Sequence, residues 1–219
     1  MKHTRNTLLT IGVFALAASS ATADPVYIQD LGANGNVGRG VSVTLSSGLT
    51  FADGSASRII WAGQRTLLLD GTELDVYSAE LTGLKGGEGW FESQTAQEAL
   101  GETKADAIAR LFGAHDGGRF NGREQTVAFQ AMLWELVYDY DGTEESIDMS
   151  TGSVVFGLVK AAEFEAFKTS AMRGGSKPGV GLVSSDPLND SFRIVPLPST
   201  AGLAVFGLLG IAAAGRRRL

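Results

Sequence analysis

Between Glu124 and Tyr138 the chain spreads Val127, Phe129, Met132, Leu133, Trp134, Leu136 and Val137 around nearly the whole circumference of a helix. A helix that is apolar on almost every side has no face to give to solvent, so it is expected to be largely buried. Asp139-Tyr140-Asp141-Gly142 stops it. Whatever else this chain forms has to be arranged around that helix.

The residues before it read as strands and turns. Val26-Tyr27-Ile28 is β-prone, and Asn34-Gly35-Asn36 and Gly38 to Gly40 carry turn chemistry. Val41 to Leu45 alternates apolar and polar like a half-buried strand, and Ser47-Gly48 and Asp53-Gly54 break the next runs. Arg58 to Trp61 leads through Ala62-Gly63 toward Arg65 to Leu69, which Asp70-Gly71-Thr72 joins to Glu73 to Leu81 as a hairpin. A glycine-rich loop is expected at Lys85 to Gly89, and helices at Thr95 to Leu100 and Thr103 to Phe112. Beyond the central helix, Ser146 to Met149 and Ser153 to Phe156 read as strands. Ala161 to Met172 reads as a helix ended at Gly174-Gly175, with returning strands at Val180 to Val183 and Ser191 to Val195. Strands in runs, rather than a βαβ repeat, indicate an α+β fold: a strand-rich sheet or sandwich core with two or three inserted helices.

Charge and composition narrow the function classes. Of 18 basic residues, Lys2, Arg5 and Arg216 to Arg218 lie at the ends, while all 24 acidic residues lie between them. The body therefore carries thirteen basic residues and a formal charge of −11. Nucleic acid is not an expected partner, because phosphate contacts need clustered Lys and Arg. With no cysteine, the chain has no disulfide, no thiolate metal site and no thiol nucleophile.

Both ends read as targeting segments. Lys2, His3 and Arg5 precede the apolar stretch Leu8 to Ala18, and Ala21-Thr22-Ala23 forms a small-x-small cleavage site, so residues 1–23 are expected to be a signal peptide. At the other end Val195-Pro196-Leu197-Pro198-Ser199-Thr200 is followed by an apolar run from Ala201 to Gly215 and then by three arginines. That run is about 15 residues, or ~22 Å as a helix, short of the ~30 Å hydrocarbon core. Including Leu197 and letting the arginines snorkel gives a marginal transmembrane helix with its C-terminus on the cytoplasmic side. An exported body at 24–194 and a tail at 195–219 follow.

This tail resembles the PEP-CTERM class of bacterial sorting signals, most nearly its VPLPA variant, with Ser199 where the variant has alanine. The resemblance implies recognition by an exosortase at the inner membrane of a Gram-negative bacterium, cleavage near Pro198, and delivery to the cell surface or extracellular matrix. Signal peptidase and exosortase would then be processing partners.

Inside the body, Val76-Tyr77-Ser78-Ala79-Glu80-Leu81 and Phe129-Gln130-Ala131-Met132-Leu133-Trp134-Glu135 resemble two segments of thioester-type domains of bacterial surface proteins. There a strand close to Tyr-Cys-x-Asp-Leu and a helix beginning Gln-x-Ala-x-Trp supply the cysteine and glutamine of an internal thioester. Gln130 stands four before Trp134, as in the family, and Trp61-Ala62-Gly63 adds to the likeness. Ser78, however, replaces the cysteine and Glu80 the aspartate. A serine hydroxyl is a poor nucleophile near neutral pH without an activating base, so Ser78 and Gln130 read as a degenerate thioester pair. The competing account is that Gln130 and Trp134 simply pack the helix against the sheet.

Two further groups bear on chemistry. Asp139, Asp141, Glu144, Glu145 and Asp148 could offer oxygen ligands to calcium, but they lack the spacing of a calcium loop, and a solvated acidic turn explains them better. His115, beside Asp116, is the single histidine of the body, and no Gly-x-Ser-x-Gly motif accompanies it. No catalytic residue, metal site or cofactor is expected. The sequence points to a non-enzymatic surface or matrix protein acting by binding or structural presence; the alternative is a secreted hydrolase using carboxylates of the body.

Overall fold

A computed structural model describes residues 26–69, 71–81, 88–175, 180–184 and 192–196. The fold is α+β, with antiparallel strands and several helices. Strand β1 (Val26–Leu45) pairs with β2 (Ser57–Leu69) along nearly all of its length. The turn chemistry around Asn34 and Gly38 does not end the strand, as expected, but is taken up within it. The register against β2 shifts between Asp30 and Gly32 and again between Ala33 and Gly38. Such irregularities bend a strand without releasing it from the sheet. Gly38 faces Gly63 across the ladder. A Cβ on Gly38 would fall 2.6 Å from the Ala62 carbonyl oxygen, and one on Gly63 2.5 Å from that of Val37. No larger residue fits either position without moving backbone.

The second half of β2 pairs with β3 (Thr72–Ser78), the expected hairpin. The end of β3 pairs with β7 (Phe192–Pro196), β7 with β6 (Val180–Ser184), β6 with β4 (Glu88–Thr95), and β4 with the start of β1. Since β1 also pairs with β2, this order returns on itself. Ile28, Leu67 and Val76 form a small core at this end of the molecule, flanked by Leu69 and Leu74. The far half of β1 instead takes β5 (Val154–Gly157) on its free edge.

Among the described residues there are four α-helices, at the four segments expected to be helical; Gly101, with φ 82°, separates a five-residue α1 (Ala96–Leu100) from α2 (Glu102–Ala114). Helix α1 starts on a reciprocal cap. The Thr95 hydroxyl accepts from the Glu98 N–H at 3.2 Å, and the Glu98 carboxylate accepts from the Thr95 N–H at 2.7 Å. The Thr95 N–H, and the Thr95 hydroxyl donating to the same carboxylate oxygen at 2.9 Å, hold the exposed Glu98 carboxyl below its usual range. The central α3 (Arg123–Tyr138) is buried without interruption from Thr126 to Leu136, as its apolar circumference requires. It lies on β1 and β2, with α2 and α4 (Ala161–Arg173) against it. Val41, Val43, Ile60 and Ala62 from the strands join Phe112 from α2 and Phe164 and Phe167 from α4 in the main core. Two cations close helix ends: Lys104 Nζ donates to the Val137 carbonyl at 2.6 Å and Arg110 Nε to that of Ala171 at 2.7 Å. Positive charge is favourable at these carbonyl-rich termini.

Two local expectations change. Ser146 to Met149 is not a strand; a 3-10 turn at Glu144–Ser146 precedes irregular chain. Asp141 accepts from the Thr143 N–H and hydroxyl, and Asp148 from those of Ser150, so side chains close tight turns where a ladder would otherwise run. Strand β4 was not foreseen, since Gly89 and polar neighbours interrupt any alternation.

Residues 1–23, with Ala21 and Ala23, lie outside the described residues, as does the expected transmembrane helix from Ala201 to Gly215. Among the described residues no helix is long and apolar enough to cross a membrane. β7 crosses the expected body–tail boundary: Val195 pairs with Gly181 and Pro196 with Val180, while Leu197 and Pro198 lie outside the described residues.

Candidate functional site

Strand β3 parts from β2 after Val76, whose partner is Arg65. Beyond that point the buried face of Ser78 meets α3 rather than another turn of the hairpin. The Gln130 side chain, fully buried on α3, accepts from the Ser78 N–H through Oε1 at 3.2 Å and donates through Nε2 to the Ser78 carbonyl at 2.7 Å. One side-chain amide thus stands in for the backbone of a neighbouring strand. The two residues lie 52 apart in sequence and are in direct contact.

The Ser78 hydroxyl points elsewhere. It donates to the Glu80 carbonyl at 2.9 Å, in a residue only 5% exposed. For Ser78 Oγ to displace ammonia from the Gln130 carboxamide, it would have to leave that carbonyl and lose its proton to a base. Both hydrogen bonds of the amide would also have to open. Among the described residues the hydroxyl's recorded partner is a carbonyl oxygen, which is no base for this purpose. The arrangement is built for holding.

Around it the packing is aromatic. Tyr77 is buried and donates its phenol to the Gly118 carbonyl at 2.6 Å, and Gln64 Nε2 donates to the same oxygen at 3.0 Å. Burial pushes the Tyr77 phenol far above its usual range. Gly118, with φ 82°, is wedged among rings: an added Cβ would sit 2.9 Å from Tyr77, 3.1 Å from Phe129 and 3.2 Å from Phe112. Phe129 lies 4.8 Å from Tyr77 and 5.1 Å from Phe112 between ring centroids. One turn further along α3 from Gln130, Trp134 stacks on Phe156 of β5 at 5.8 Å. Gln130 and Trp134 therefore both fasten the helix to strands, one by hydrogen bonds and one by ring contact. Trp61 covers Gly38 at the strand crossing.

Nothing in the sequence suggested a partner for His115, since the residue it meets is 55 positions away. Its Nε2 lies 2.8 Å from Ser170 Oγ on α4. The ring packs edge-on to Phe167 at 4.7 Å and near Phe120 at 5.9 Å, and burial lowers its pKa. Ser170 also donates back to the Ala166 carbonyl at 3.1 Å, the usual resting bond of a helical serine.

The acidic loop disperses its carboxylates. Asp139 accepts from the backbone N–H groups of Ser153 and Val154, Asp141 and Asp148 close their own turns, and Glu144 pairs with Arg173 at 3.6 Å. Among the described residues no group of three or more such side chains is placed to hold a metal ion. One carboxylate was missed altogether. Glu135, inside α3, is fully buried, and neither oxygen has a well-formed hydrogen bond. Burial first, then the charge of Asp139, pushes its pKa up to about 9; the backbone N–H of Asp148 and the Lys168 ammonium offset this only in part. Glu135 is a neutral acid at pH 7. It is also sealed from solvent, so no substrate reaches it in this conformation.

Comparison with family models finds no match, and comparison with curated proteins finds none. Among solved structures the chain is similar to the N-terminal thioester domain of fibronectin-binding protein SfbI from Streptococcus pyogenes. The identity is 10% and the TM-score 0.41, over 80% of this chain and 95% of that one.

Proposed function

We propose that this is an exported, non-catalytic protein of the cell surface or extracellular matrix. Its body would be a thioester-domain relative that has kept the contact between strand and helix and lost the bond. The observation that carries the reading is the use of the Gln130 amide: both of its ends are spent on the Ser78 backbone, and the serine hydroxyl on Glu80. Such a pair locks β3 to α3 and leaves nothing poised to react. The two end segments supply the route: a signal peptide cut after Ala23, and a PEP-CTERM-type tail cut near Pro198 by an exosortase after a transient stay in the inner membrane.

Intact mass spectrometry of the surface fraction tests the whole reading. The expected species begins at Asp24, lacks Arg216 to Leu219, and shows the full mass of its sequence before and after incubation with methylamine. A species short by one ammonia, or one that takes up methylamine, would mean that Ser78 and Gln130 are covalently joined. An intact basic end in the surface fraction would remove the sorting claim.

A serine hydrolase, distinct from the carboxylate-based alternative, has one observation in its favour, the contact between His115 and Ser170. A fluorophosphonate probe decides it: labelling at Ser170 that is lost in His115→Ala would establish an activated serine.

A further inference from the structure

Large aromatic side chains normally spend their area in a core, yet two of them stand together on the outside of this molecule. Tyr27 on β1 and Trp90 on β4 are directly paired across the ladder and lie edge to face, with centroids 5.5 Å apart and planes at 70°. Trp90 is 69% exposed and Tyr27 38%. Their direction follows from the pleat. Ile28, between Tyr27 and Gln29, points into the small core with Leu67 and Val76, so Tyr27 and Gln29 point outward. The next outward pair along the same ladder is Gln29 opposite Glu88. One face therefore presents an indole, a phenol, an amide and a carboxylate within two rungs.

We propose that this face is a binding site for a neutral polysaccharide, with Trp90 as the stacking surface. The chemistry of the four side chains selects the ligand. A purely apolar partner would bury Gln29 and Glu88 without hydrogen-bond partners, which is costly. A polyanion, whether nucleic acid or an acidic glycan, would meet Glu88 on the patch and a formal charge of −11 on the body. An uncharged pyranose ring matches both halves of the site. Its C–H face is apolar and slightly positive, suited to the negative face of an indole. Its hydroxyls both donate and accept, suited to an amide beside a carboxylate. Tyr27, set against Trp90, braces the indole and places a hydroxyl at the rim. With one ring face open, each site grips one sugar weakly, and retention on a polymer comes from its many repeated units.

This deepens the binding role proposed above and rests on it only for the absence of catalysis; it makes no use of Ser78, Gln130 or the tail. The test is affinity electrophoresis of the native chain through gels containing a soluble neutral glucan, a neutral galactomannan or alginate. Retardation is expected in at least one neutral polymer and not in alginate. Trp90→Ala should weaken it by at least about tenfold, Tyr27→Ala by less, and Trp90→Phe should restore part of it. Ile59→Ala, which removes a different exposed apolar residue, should change nothing. Titration with the retained polymer should shift tryptophan emission in the native chain and not in Trp90→Phe, because Trp134 is buried and Trp61 largely covered. Three results would overturn the proposal: no retardation in either neutral polymer, retardation unchanged in Trp90→Ala, or concentration-dependent dimerisation that Trp90→Ala abolishes. The last would make a second copy of the chain the true occupant. None of these bears on the mass-spectrometric tests of processing and covalency.

Discussion

Replacing Glu135 with glutamine should stabilise the chain at neutral pH, by an amount that grows with pH. Unfolded, this glutamate titrates near its ordinary value of 4.5; folded, it holds its proton to about 9. Between those values the folded chain carries one proton more than the unfolded chain. Its stability therefore falls by about 1.4 kcal/mol for each pH unit gained. At pH 7 the accumulated cost is about 3 kcal/mol, a large share of an ordinary domain's stability. Below the unfolded value the cost vanishes, and above the folded one it stops growing. The glutamine carries no such term. Its amide has hydrogen-bonding needs of its own in the same closed space, but that offset does not vary with pH. Urea unfolding of both proteins from about pH 5 to pH 8 isolates the slope. The difference in unfolding free energy should rise steadily in favour of Glu135→Gln. Parallel curves across that range would show that Glu135 ionises normally in the folded chain, and the account of its burial would fail.

Three other substitutions probe the scaffold, each read by thermal or urea unfolding. Gln130→Ala strands the N–H and carbonyl of Ser78 in the interior and should cost about 2–6 kcal/mol, at about 1–3 for each group left without a partner; a loss under 1 would mean water replaces the amide easily. Gly118→Ala meets both a left-handed backbone and three aromatic rings, so a loss of about 2–4 kcal/mol is expected; a neutral result would mean that the turn relaxes freely. Leu158 holds φ 66° while 62% exposed. Leu158→Gly should therefore be more stable than Leu158→Ala by about 1 kcal/mol, since alanine keeps the backbone strain and glycine removes it. An alanine variant as stable as the glycine one would contradict this.

Where a segment's own pattern matched the force acting on it, the sequence was readable. The circumference of α3 announced its burial because no other force competes there. The hairpin around Gly71 was visible for a similar reason, its turn chemistry being local. Gln130 and Ser78 were picked out by resemblance to a family motif. That they touch through the serine backbone, with the hydroxyl turned away, depends on β3 leaving β2 after Val76, and no residue near Ser78 encodes that departure. Strand β4 was hidden because its pairing partners lie in distant parts of the chain. Glu135 was hidden too: a glutamate on a helix reads as solvated until the neighbours that close over it are known. The meeting of His115 and Ser170 likewise depends on how α4 docks.

Under the sorting route proposed above, the end of β7 would bear on the order of events in the life of this protein. Val195 and Pro196 are rungs of the ladder with β6 and also half of the Val195–Pro198 motif. A membrane enzyme that takes this motif as an extended chain competes with the sheet for the same two residues. If the sheet closes first, the enzyme has to wait for the terminal rungs to fray; if the enzyme engages first, β7 completes the sheet only after release. Folding of the body and release from the membrane would then run as rivals on one clock. Substitutions that strengthen the β6–β7 pairing should slow maturation without altering the cleaved bond.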